Sequence, residues 1–245
     1  MQDHELAGLL AQEAGDLLLG IRGQAVAEGW PSYRLQDEGD RQAHRHLVDR
    51  LAELRPDDGL LSEEGTDDGA RLKANRVWIL DPLDGTRDFG RPKSIEWAVH
   101  VALVEGGRPT AAAVALPASG QLYGTGLSAA FRPLERERPV VVTSRSQWGE
   151  AEVVAAAIGG VVRSFGSAGV KAMAVVGGSA DVYVHPSGLY EWDACAPAAV
   201  ATAAGLDASG LDGTTLTFNK PHPVVPGLLI CRPEYTGRAR SALRW

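Results

Sequence analysis

The chain has 245 residues and a formal net charge of −7, with 44% hydrophobic and 22% charged residues. This composition excludes a disordered chain. The negative charge argues against nonspecific binding to nucleic acid or to a membrane surface. No apolar run in the sequence is long enough for a transmembrane helix. The acidic N-terminus lacks the basic start and apolar run of a secretory signal, which predicts a cytoplasmic protein.

The first half of the chain predicts two helices followed by a small sheet. Leucines at helical spacing predict an amphipathic helix over residues 5–21, and a second helix is predicted to begin near Asp40. Alternating apolar residues over 95–103 predict a strand with one buried face. Apolar runs at 111–116 and 122–123 are expected to continue this strand as an antiparallel meander.

The second half of the chain alternates between strand-like and helix-like segments. These segments are 140–142, 147–158, 168–176, 182–185 and 194–204. Between the halves, residues 124–138 are rich in Gly, Pro, Arg and Glu without an apolar period, which predicts a surface loop. We therefore predict a layered α/β protein made of two halves, 1–135 and 136–245, fused in one compact unit.

Acidic residues stand directly after predicted strands or before a predicted helix. Glu63 and Glu64 follow one short apolar run, Asp81 and Asp84 follow another, and Asp193 precedes an alanine-rich helix. Side chains at such positions converge easily at one rim of a sheet. Taken alone, Asp84 is equally compatible with an ordinary turn that caps a helix. An aspartate in the position of Asp193 is more often a helix N-cap than a ligand, so its assignment as a ligand depends on the other carboxylates.

Residues 81–86 (Asp-Pro-Leu-Asp-Gly-Thr) combine metal ligands with a phosphate site. Pro82 stiffens the backbone, so that both aspartates and the Leu83 carbonyl can face one point. Such oxygen ligands favour Mg²⁺, and the free N–H groups of Gly85 and Thr86 at the start of a predicted helix favour a phosphate. Bound divalent cations would also remove the repulsion among the carboxylates and turn a negative pocket into an anion receptor.

Three motifs together resemble the signatures of the inositol monophosphatase superfamily. They are Glu63-Glu64, the run 78–86 (Trp-Ile-Leu-Asp-Pro-Leu-Asp-Gly-Thr) and Trp192-Asp193, and the resemblance extends over nearly the whole chain. It implies an αβαβα sandwich and a Mg²⁺-dependent, lithium-inhibited phosphatase. Because members of this family are often dimers, it also implies a homodimer.

Finer features resemble the 3′(2′),5′-bisphosphate nucleotidases of the CysQ type. Residues 87–89 (Arg-Asp-Phe) are similar to their Lys-Glu-Phe, and residues 166–171 are similar to their Gly-Ser-x-x-x-Lys segment. Simple inositol monophosphatases have Thr-Asn-Phe at the positions that correspond to residues 87–89. The animal-type enzymes also have a Glu several residues before Trp-Asp, and this Glu binds the hydroxyl groups of inositol. Residues 183–190 contain no acid, so myo-inositol phosphate is less favoured as the substrate.

The resemblance implies two to three Mg²⁺ ions in the active site. Glu63, Asp81 and the Leu83 carbonyl would hold one ion, and Asp81, Asp84 and Asp193 would hold a second. Glu63 would also help to hold a third, weaker ion.

Asp40 matches the family's acidic residue at the start of the second helix. The resemblance implies that Asp40 pairs with the Thr86 hydroxyl and helps to deprotonate the attacking water. Taken alone, Asp40 is equally compatible with a helix N-cap. Asp40, Thr86 and Glu63 form the predicted catalytic set, and the N–H groups of Gly85 and Thr86 would hold the phosphate oxygens.

Three side chains are predicted to contact the substrate. By resemblance, Lys171 would offset the charge of a substrate phosphate and Ser167 would add a hydrogen bond, while an ordinary surface lysine is the alternative for Lys171. Arg145 lies in a Thr-Ser-Arg-Ser segment that resembles one in nucleotide-directed members. It is a candidate for contact with a second phosphate or with the base.

These features predict a Mg²⁺-dependent phosphatase that removes the 3′-phosphate of adenosine 3′,5′-bisphosphate to give AMP and phosphate. A phosphatase for inositol phosphates, or for another sugar or pathway-specific phosphate, is the alternative among enzymes. A catalytically silent regulator that binds metal or nucleotide is the alternative from a different class.

Overall fold

The structure is a computed structural model that describes residues 1–127 and 137–243. Its α-helices are α1 (Asp3–Glu28), α2 (Ser32–Leu54), α3 (Thr86–Phe89), α4 (Gly149–Ile158), α5 (Ala168–Val176), α6 (Glu191–Ala203) and α7 (Pro233–Ala242). Its strands are β1 (Gly59–Ser62), β2 (Arg76–Asp84), β3 (Ala98–Glu105), β4 (Arg108–Leu116), β5 (Gln121–Gly124), β6 (Val140–Thr143), β7 (Val161–Ser164), β8 (Val182–His185), β9 (Leu189–Tyr190), β10 (Asp207–Ser209), β11 (Val224–Val225) and β12 (Leu228–Cys231). Short 3₁₀ helices span Ala70–Lys73 and Pro117–Ser119.

Within the described residues, the strands form two five-stranded sheets and a small ribbon. The first sheet has the order β1-β2-β3-β4-β5, with β1 parallel to β2 and the later pairs antiparallel. The second has the order β10-β12-β8-β6-β7, in which β6 runs parallel to β7 and β8, whereas β12 runs antiparallel to β8 and β10. Strands β9 and β11 pair as the separate ribbon.

Helices cover both faces of both sheets. Helices α1 and α2 pack on the outer face of the first sheet, α5 and α6 lie between the sheets, and α4 and α7 cover the outer face of the second sheet. The layer order is therefore α-β-α-β-α, which confirms the predicted layered architecture.

Strand β2 shows how the first sheet is buried on both faces. Val77 and Ile79 pack into the core between the sheets, whereas Trp78 and Leu80 pack beneath α1 and α2. A strand covered on both faces reads as a continuous apolar run. This run ends at Asp81, so the first acidic residue of the motif lies where the apolar core ends.

Helix α2 begins at Ser32, well before Asp40, so the predicted start near Asp40 is wrong. Residues 32–39, the part of α2 that the prediction missed, are mostly polar, and Leu35 is their buried apolar residue. This segment therefore shows little of the apolar periodicity that predicts a helix. Asp40 therefore lies in the middle of the helix. This position excludes the helix N-cap alternative for Asp40.

Other predicted boundaries differ less. The strand predicted at 95–103 begins at Ala98, and Ile95 is 60% exposed. The loop predicted at 124–138 falls largely outside the described residues, so the division of the chain between 135 and 136 stays a prediction. Over the two described ranges, no helix has both the length and the apolar character that crossing a membrane requires.

Gly39 allows α2 to pack closely against the segment that follows β2. A Cβ at position 39 would lie 2.6 Å from the Phe89 ring and 3.0 Å from Leu83 Cδ2. These distances are too short for carbon atoms in contact, so a glycine is required although it is a poor helix former. The close approach also sets the position of Asp40, the next residue, relative to the acidic motif.

Gly39→Ala is expected to lower the free energy of unfolding by about 1–3 kcal/mol, because the added methyl group overpacks this contact. Gly23→Ala in α1 is the matched control, since a Cβ there meets nothing within 4 Å. Replacing that exposed helical glycine should raise stability by up to about 1 kcal/mol. Urea denaturation measures both changes, and an unchanged or raised stability of Gly39→Ala would contradict the packing argument.

Candidate active site

The end of strand β2 is irregular, and this irregularity places its two aspartates. In the pairing with β3, Asp81 lies opposite His100 and Asp84 lies opposite Ala98, so β2 contains an extra residue here. Such a bulge bends a strand and redirects its side chains. Asp81 and Asp84 both lie buried at this end of the strand.

Two further acidic residues reach the same place from other elements. Glu63 directly follows β1, which runs parallel to β2, and its backbone N–H donates to β2 at 3.2 Å. Asp193 lies in the first turn of α6, and its Oδ2 accepts the Tyr190 N–H at 2.8 Å. The structure brings the four side chains close enough for their charges to interact strongly. We call Glu63, Asp81, Asp84 and Asp193 the carboxylate cluster.

Crowding raises the pKa of three carboxyl groups in the cluster. Although Glu63 is an exposed residue, burial of its carboxyl end and the charge of Asp193 raise its pKa to about 7. Burial and the charge of Asp84 raise the pKa of Asp193 to about 6. Burial, followed by the charges of Asp84 and Glu63, raises the pKa of Asp81 well above its ordinary value. Without a cation, this site therefore retains protons near neutral pH.

Asp84 differs because helix α5 and His100 stabilise its charge. It accepts hydrogen bonds from the N–H groups of Ala168 at 3.1 Å and Gly169 at 2.6 Å, and from the Ser167 hydroxyl. His100 Nε2 lies 3.2 Å from Asp84 Oδ2. Burial alone would raise the pKa of Asp84. The charge and hydrogen bond of His100 and the hydrogen bond of Ser167 outweigh burial, so the pKa of Asp84 is lowered.

The donor set fits a hard divalent cation. The Glu63 carboxyl lies within hydrogen-bonding reach of Asp81, so the two groups can share a retained proton, and a cation would take the place of that proton. Among the residues that the structure describes, the buried Asp81 Oδ2 has no hydrogen-bond donor. The Leu83 carbonyl accepts the Thr86 hydroxyl at 3.0 Å and retains a second lone pair. Oxygen donors of this kind are the ligands that Mg²⁺ prefers.

Gly85 forms the tight turn between β2 and α3. Its φ is +90°, and a Cβ would lie 2.6 Å from the Glu96 carbonyl oxygen, so only glycine fits this position. The turn places Thr86 at the first position of α3, which spans four residues. The backbone next to the carboxylate cluster thus turns at the place where a bound phosphate was predicted.

Thr86 and Asp40 lie together although they are far apart in the sequence. Thr86 Oγ1 is 3.2 Å from Asp40 Oδ1 and 3.0 Å from the Leu83 carbonyl oxygen, and its single hydrogen can be donated to either acceptor. Burial and the charge of Glu64 raise the pKa of Asp40 to about 7. A carboxylate with such a pKa can accept a proton at neutral pH.

Ser167 and Lys171 are buried, which excludes the surface alternative for Lys171. The Lys171 ammonium donates to the carbonyls of Gly166 at 2.7 Å and Ser167 at 2.8 Å, and it reaches that of Phe165 at 3.5 Å. Burial lowers the pKa of Lys171 to about 8. In this arrangement Lys171 fixes the turn before α5. Direct contact of either side chain with a substrate phosphate stays a prediction and would require these bonds to change.

Arg145 lies beside two acidic residues of the first half of the chain. It donates to Asp88 Oδ2 at 2.8 Å and forms an ion pair with Glu96, and its side chain is half-exposed. Glu96 also accepts the Gly166 N–H at 2.7 Å, and its carbonyl oxygen borders Gly85. The guanidinium is therefore held near the turn at Gly85, and its contact with a second phosphate or with the base stays a prediction.

Sequence reasoning missed His100. Its Nδ1 donates to the Trp192 carbonyl oxygen at 3.0 Å, and its Nε2 faces Asp84, so it links β2 to the residue before Asp193. A signal was present, because His100 is the one polar residue in the apolar run 97–104 of the alternating segment. A lone polar residue that a strand buries must find partners inside the protein.

The fold and the carboxylate cluster define the class of metal-dependent phosphatases with a layered α/β fold. The chain belongs to the inositol monophosphatase family, which matches residues 5–242.

Similar proteins agree with this assignment. The 3′-phosphoadenosine 5′-phosphate phosphatase of Mycobacterium bovis is 46% identical over 239 residues, which cover 91% of this chain and 86% of that protein. The 3′(2′),5′-bisphosphate nucleotidase CysQ of Salmonella typhimurium is 30% identical over 236 residues, which cover 85% of this chain and 91% of that protein. The crystal structure of inositol monophosphatase II from Staphylococcus aureus superimposes with a TM-score of 0.82 at 22% identity and covers 99% of this chain and 94% of its own. This likeness confirms the predicted inositol monophosphatase-like αβαβα fold.

The metal-free protein is expected to lose stability as the pH rises from about 4.5 to about 7. The pKa values of Glu63 and Asp193 are raised to about 7 and about 6, and that of Asp81 is raised as well. The folded protein therefore binds more protons than the unfolded chain, and it is destabilised as these groups ionise. Thermal unfolding in EDTA measures this loss, and Mg²⁺ is expected to reverse it at about pH 8.

Asp81→Asn is expected to reduce the pH-dependent loss, because it removes one of the repelling charges, and to diminish the stabilisation by Mg²⁺. Asp57→Asn, which changes an exposed aspartate, is the control and should retain both effects. A metal-free wild type whose stability stays constant or rises over this pH range would contradict the crowding argument.

Proposed function

We propose that this chain is a Mg²⁺-dependent phosphatase that removes the 3′-phosphate of adenosine 3′,5′-bisphosphate to give AMP and phosphate. The observation that carries this proposal is the carboxylate cluster beside the Thr86–Asp40 pair, whose oxygens are 3.2 Å apart. The choice of a nucleotide is supported by the Mycobacterium bovis relative, which is 46% identical and named for that phosphatase, and by the CysQ relative.

The carboxylate cluster and the Leu83 carbonyl would hold two to three Mg²⁺ ions. Bound Mg²⁺ supplies positive charge that stabilises phosphoryl transfer. Bound cations would offset the burial and the repulsion that raise the pKa of Asp81 and Glu63, so that a protein of net charge −7 can accept an anionic substrate.

Thr86 and Asp40 are proposed to accept the proton of the attacking water. When Thr86 Oγ1 donates its hydrogen to Asp40, its lone pairs remain free to accept a hydrogen bond from that water. Because the pKa of Asp40 is about 7, its carboxylate takes up a proton readily at neutral pH. The water then loses its proton to the Thr86–Asp40 pair as it attacks phosphorus in line with the leaving ribose oxygen. The bond between phosphorus and the ribose oxygen breaks, and this oxygen takes up a proton from a solvent water to give the free hydroxyl group of AMP.

Arg145 is proposed to bind the second phosphate of the substrate, while the backbone at Gly85 and Thr86 binds the reacting one. Arg145 uses its terminal nitrogens for Asp88 and Glu96. A guanidinium has five N–H donors, so donors remain for a phosphate, and the half-exposed side chain can be approached from solvent. The two acidic partners hold the guanidinium in place before the substrate arrives.

Adenosine 3′,5′-bisphosphate is expected to be hydrolysed with a higher kcat/KM than myo-inositol 1-phosphate or fructose 1,6-bisphosphate. Phosphate release at saturating Mg²⁺ from all three compounds measures this order. If the bisphosphonucleotide is the poorest substrate, the proposed substrate is wrong and the sugar-phosphate alternative is favoured. Tight binding of the nucleotide without hydrolysis would favour the catalytically silent regulator.

Arg145→Met is expected to raise the KM for adenosine 3′,5′-bisphosphate by roughly tenfold, because a charge-assisted contact with the 5′-phosphate is lost. The KM for 3′-AMP, which has no 5′-phosphate, should change much less. Arg138→Met is the matched control, since it removes an exposed arginine that donates to the Gly160 carbonyl. Equal losses on both nucleotides in Arg145→Met would contradict the assigned role.

Two further parts of the proposal concern the whole protein. We infer that it works in the cytoplasm, as the sequence predicts, and that it forms the homodimer implied by the resemblance. Light scattering coupled to size-exclusion chromatography measures the molar mass in solution, and a mass close to the 25.9 kDa of one chain would contradict the dimer.

A further inference from the structure

Tyr190 and Trp192 form a stacked pair of aromatic rings where β9 ends and α6 begins. Their ring centroids are 4.6 Å apart, and the ring planes differ by 6°. Trp192 packs against the core between the sheets, whereas Tyr190 is 48% exposed. One face of the Tyr190 ring thus rests on Trp192, and the exposure of this residue leaves the opposite face open to solvent.

The backbone of this ring pair is attached to the carboxylate cluster. The Tyr190 N–H donates to Asp193 Oδ2 at 2.8 Å, and the Trp192 carbonyl accepts from His100 Nδ1 at 3.0 Å. Tyr190 also pairs with Val224 in the ribbon formed by β9 and β11. Since three residues of a helix rise by about 4.5 Å, the backbone of Tyr190 lies within about one helical turn of Asp193.

The chemistry of this position suits a flat aromatic group. Residues 183–190 contain no carboxylate. The carboxylate of Glu191 is buried and accepts the N–H groups of Asn219 and Lys220, so no carboxylate here is free to bind the hydroxyl groups of a sugar. Residues 183–190 end instead in an exposed ring that Trp192 holds in a fixed plane. Aromatic rings bind other flat rings by offset stacking, and this interaction accepts any nucleic-acid base.

We propose that the open face of Tyr190 is the surface on which the purine base of the substrate stacks, which makes Tyr190 a specificity-determining residue. This inference rests on the proposed function for the identity of the substrate. In a nucleotide, one ribose ring joins the base to the 3′-phosphate, so a phosphate at the carboxylate cluster brings its base next to the start of α6. Tyr190 then distinguishes nucleotides from sugar phosphates and discriminates little between adenine and guanine.

The experiment compares the binding of AMP and ribose 5-phosphate by isothermal titration calorimetry in the presence of Mg²⁺. Tyr190→Ala is expected to weaken AMP binding about tenfold, because the stacking surface is lost. Tyr190→Phe retains the ring and should bind AMP within about twofold of the wild type. Ribose 5-phosphate has no base, so the wild type, Tyr190→Ala and Tyr190→Phe should all bind it with the same affinity.

The design separates stacking from damage to the fold. Both substitutions leave the backbone hydrogen bond from Tyr190 to Asp193 in place, and thermal unfolding checks that the fold is intact. Tyr33→Ala is the matched control, because Tyr33 is an exposed tyrosine on α2, at 68%, and its loss should leave AMP binding unchanged.

Unaltered AMP affinity in Tyr190→Ala would overturn the inference. Equal losses in the Ala and Phe variants would also overturn it, since the hydroxyl group would then be the cause, and so would a wild type that binds AMP no more tightly than ribose 5-phosphate. These binding results do not require turnover. A wild type that binds AMP through Tyr190 but does not hydrolyse adenosine 3′,5′-bisphosphate would overturn the proposed function and leave the stacking site standing.

Discussion

Repulsion among the buried carboxylates at the end of β2 is the constraint on which the rest of this site depends. An ionised carboxylate taken from water into a protein interior costs several kcal/mol unless partners replace its hydration. Burial and mutual repulsion raise the pKa of Glu63, Asp81 and Asp193 together. A sequence that gathers these groups lowers the stability of the metal-free protein, and the Mg²⁺ that we propose to bind here would restore it by binding to the folded chain.

The protein stabilises the charge of one carboxylate of the cluster with its own groups, and we propose that cations neutralise the others. Asp84 receives N–H groups from the start of α5, the Ser167 hydroxyl and the ring of His100. Ser167 also caps α5 by accepting the Val170 N–H at 3.0 Å, and Lys171 fixes the turn before that helix. Because α5 comes from the second half of the chain and Asp84 from the first, the site exists only when both halves pack against each other.

The local motif of the candidate site could be predicted from the sequence, whereas the surroundings of its residues could not. Residues 81–86 form a local motif at the end of a buried strand, so their spacing alone places two carboxylates and a turn together. The surroundings of Ser167 and Lys171 depend on which face of α5 is buried. Helical spacing shows that residues four apart share a face, but it does not show that this face meets Asp84. The start of α2 was missed for a related reason, since polar residues carry no apolar period.

Two carboxyl groups in this region have pKa values displaced in opposite directions, which separates their roles. The pKa of Asp84 is lowered, so this group stays ionised and serves as a permanent anion. The pKa of Asp40 is raised to about 7 by burial and by the charge of Glu64, so this group exchanges a proton at neutral pH. Asp40 lies on α2, and Thr86 connects it to the acidic motif by a hydrogen bond. Glu64 directly follows a proposed metal ligand, and its charge helps to keep Asp40 basic enough for the role we propose for it, which is to accept the proton of the attacking water.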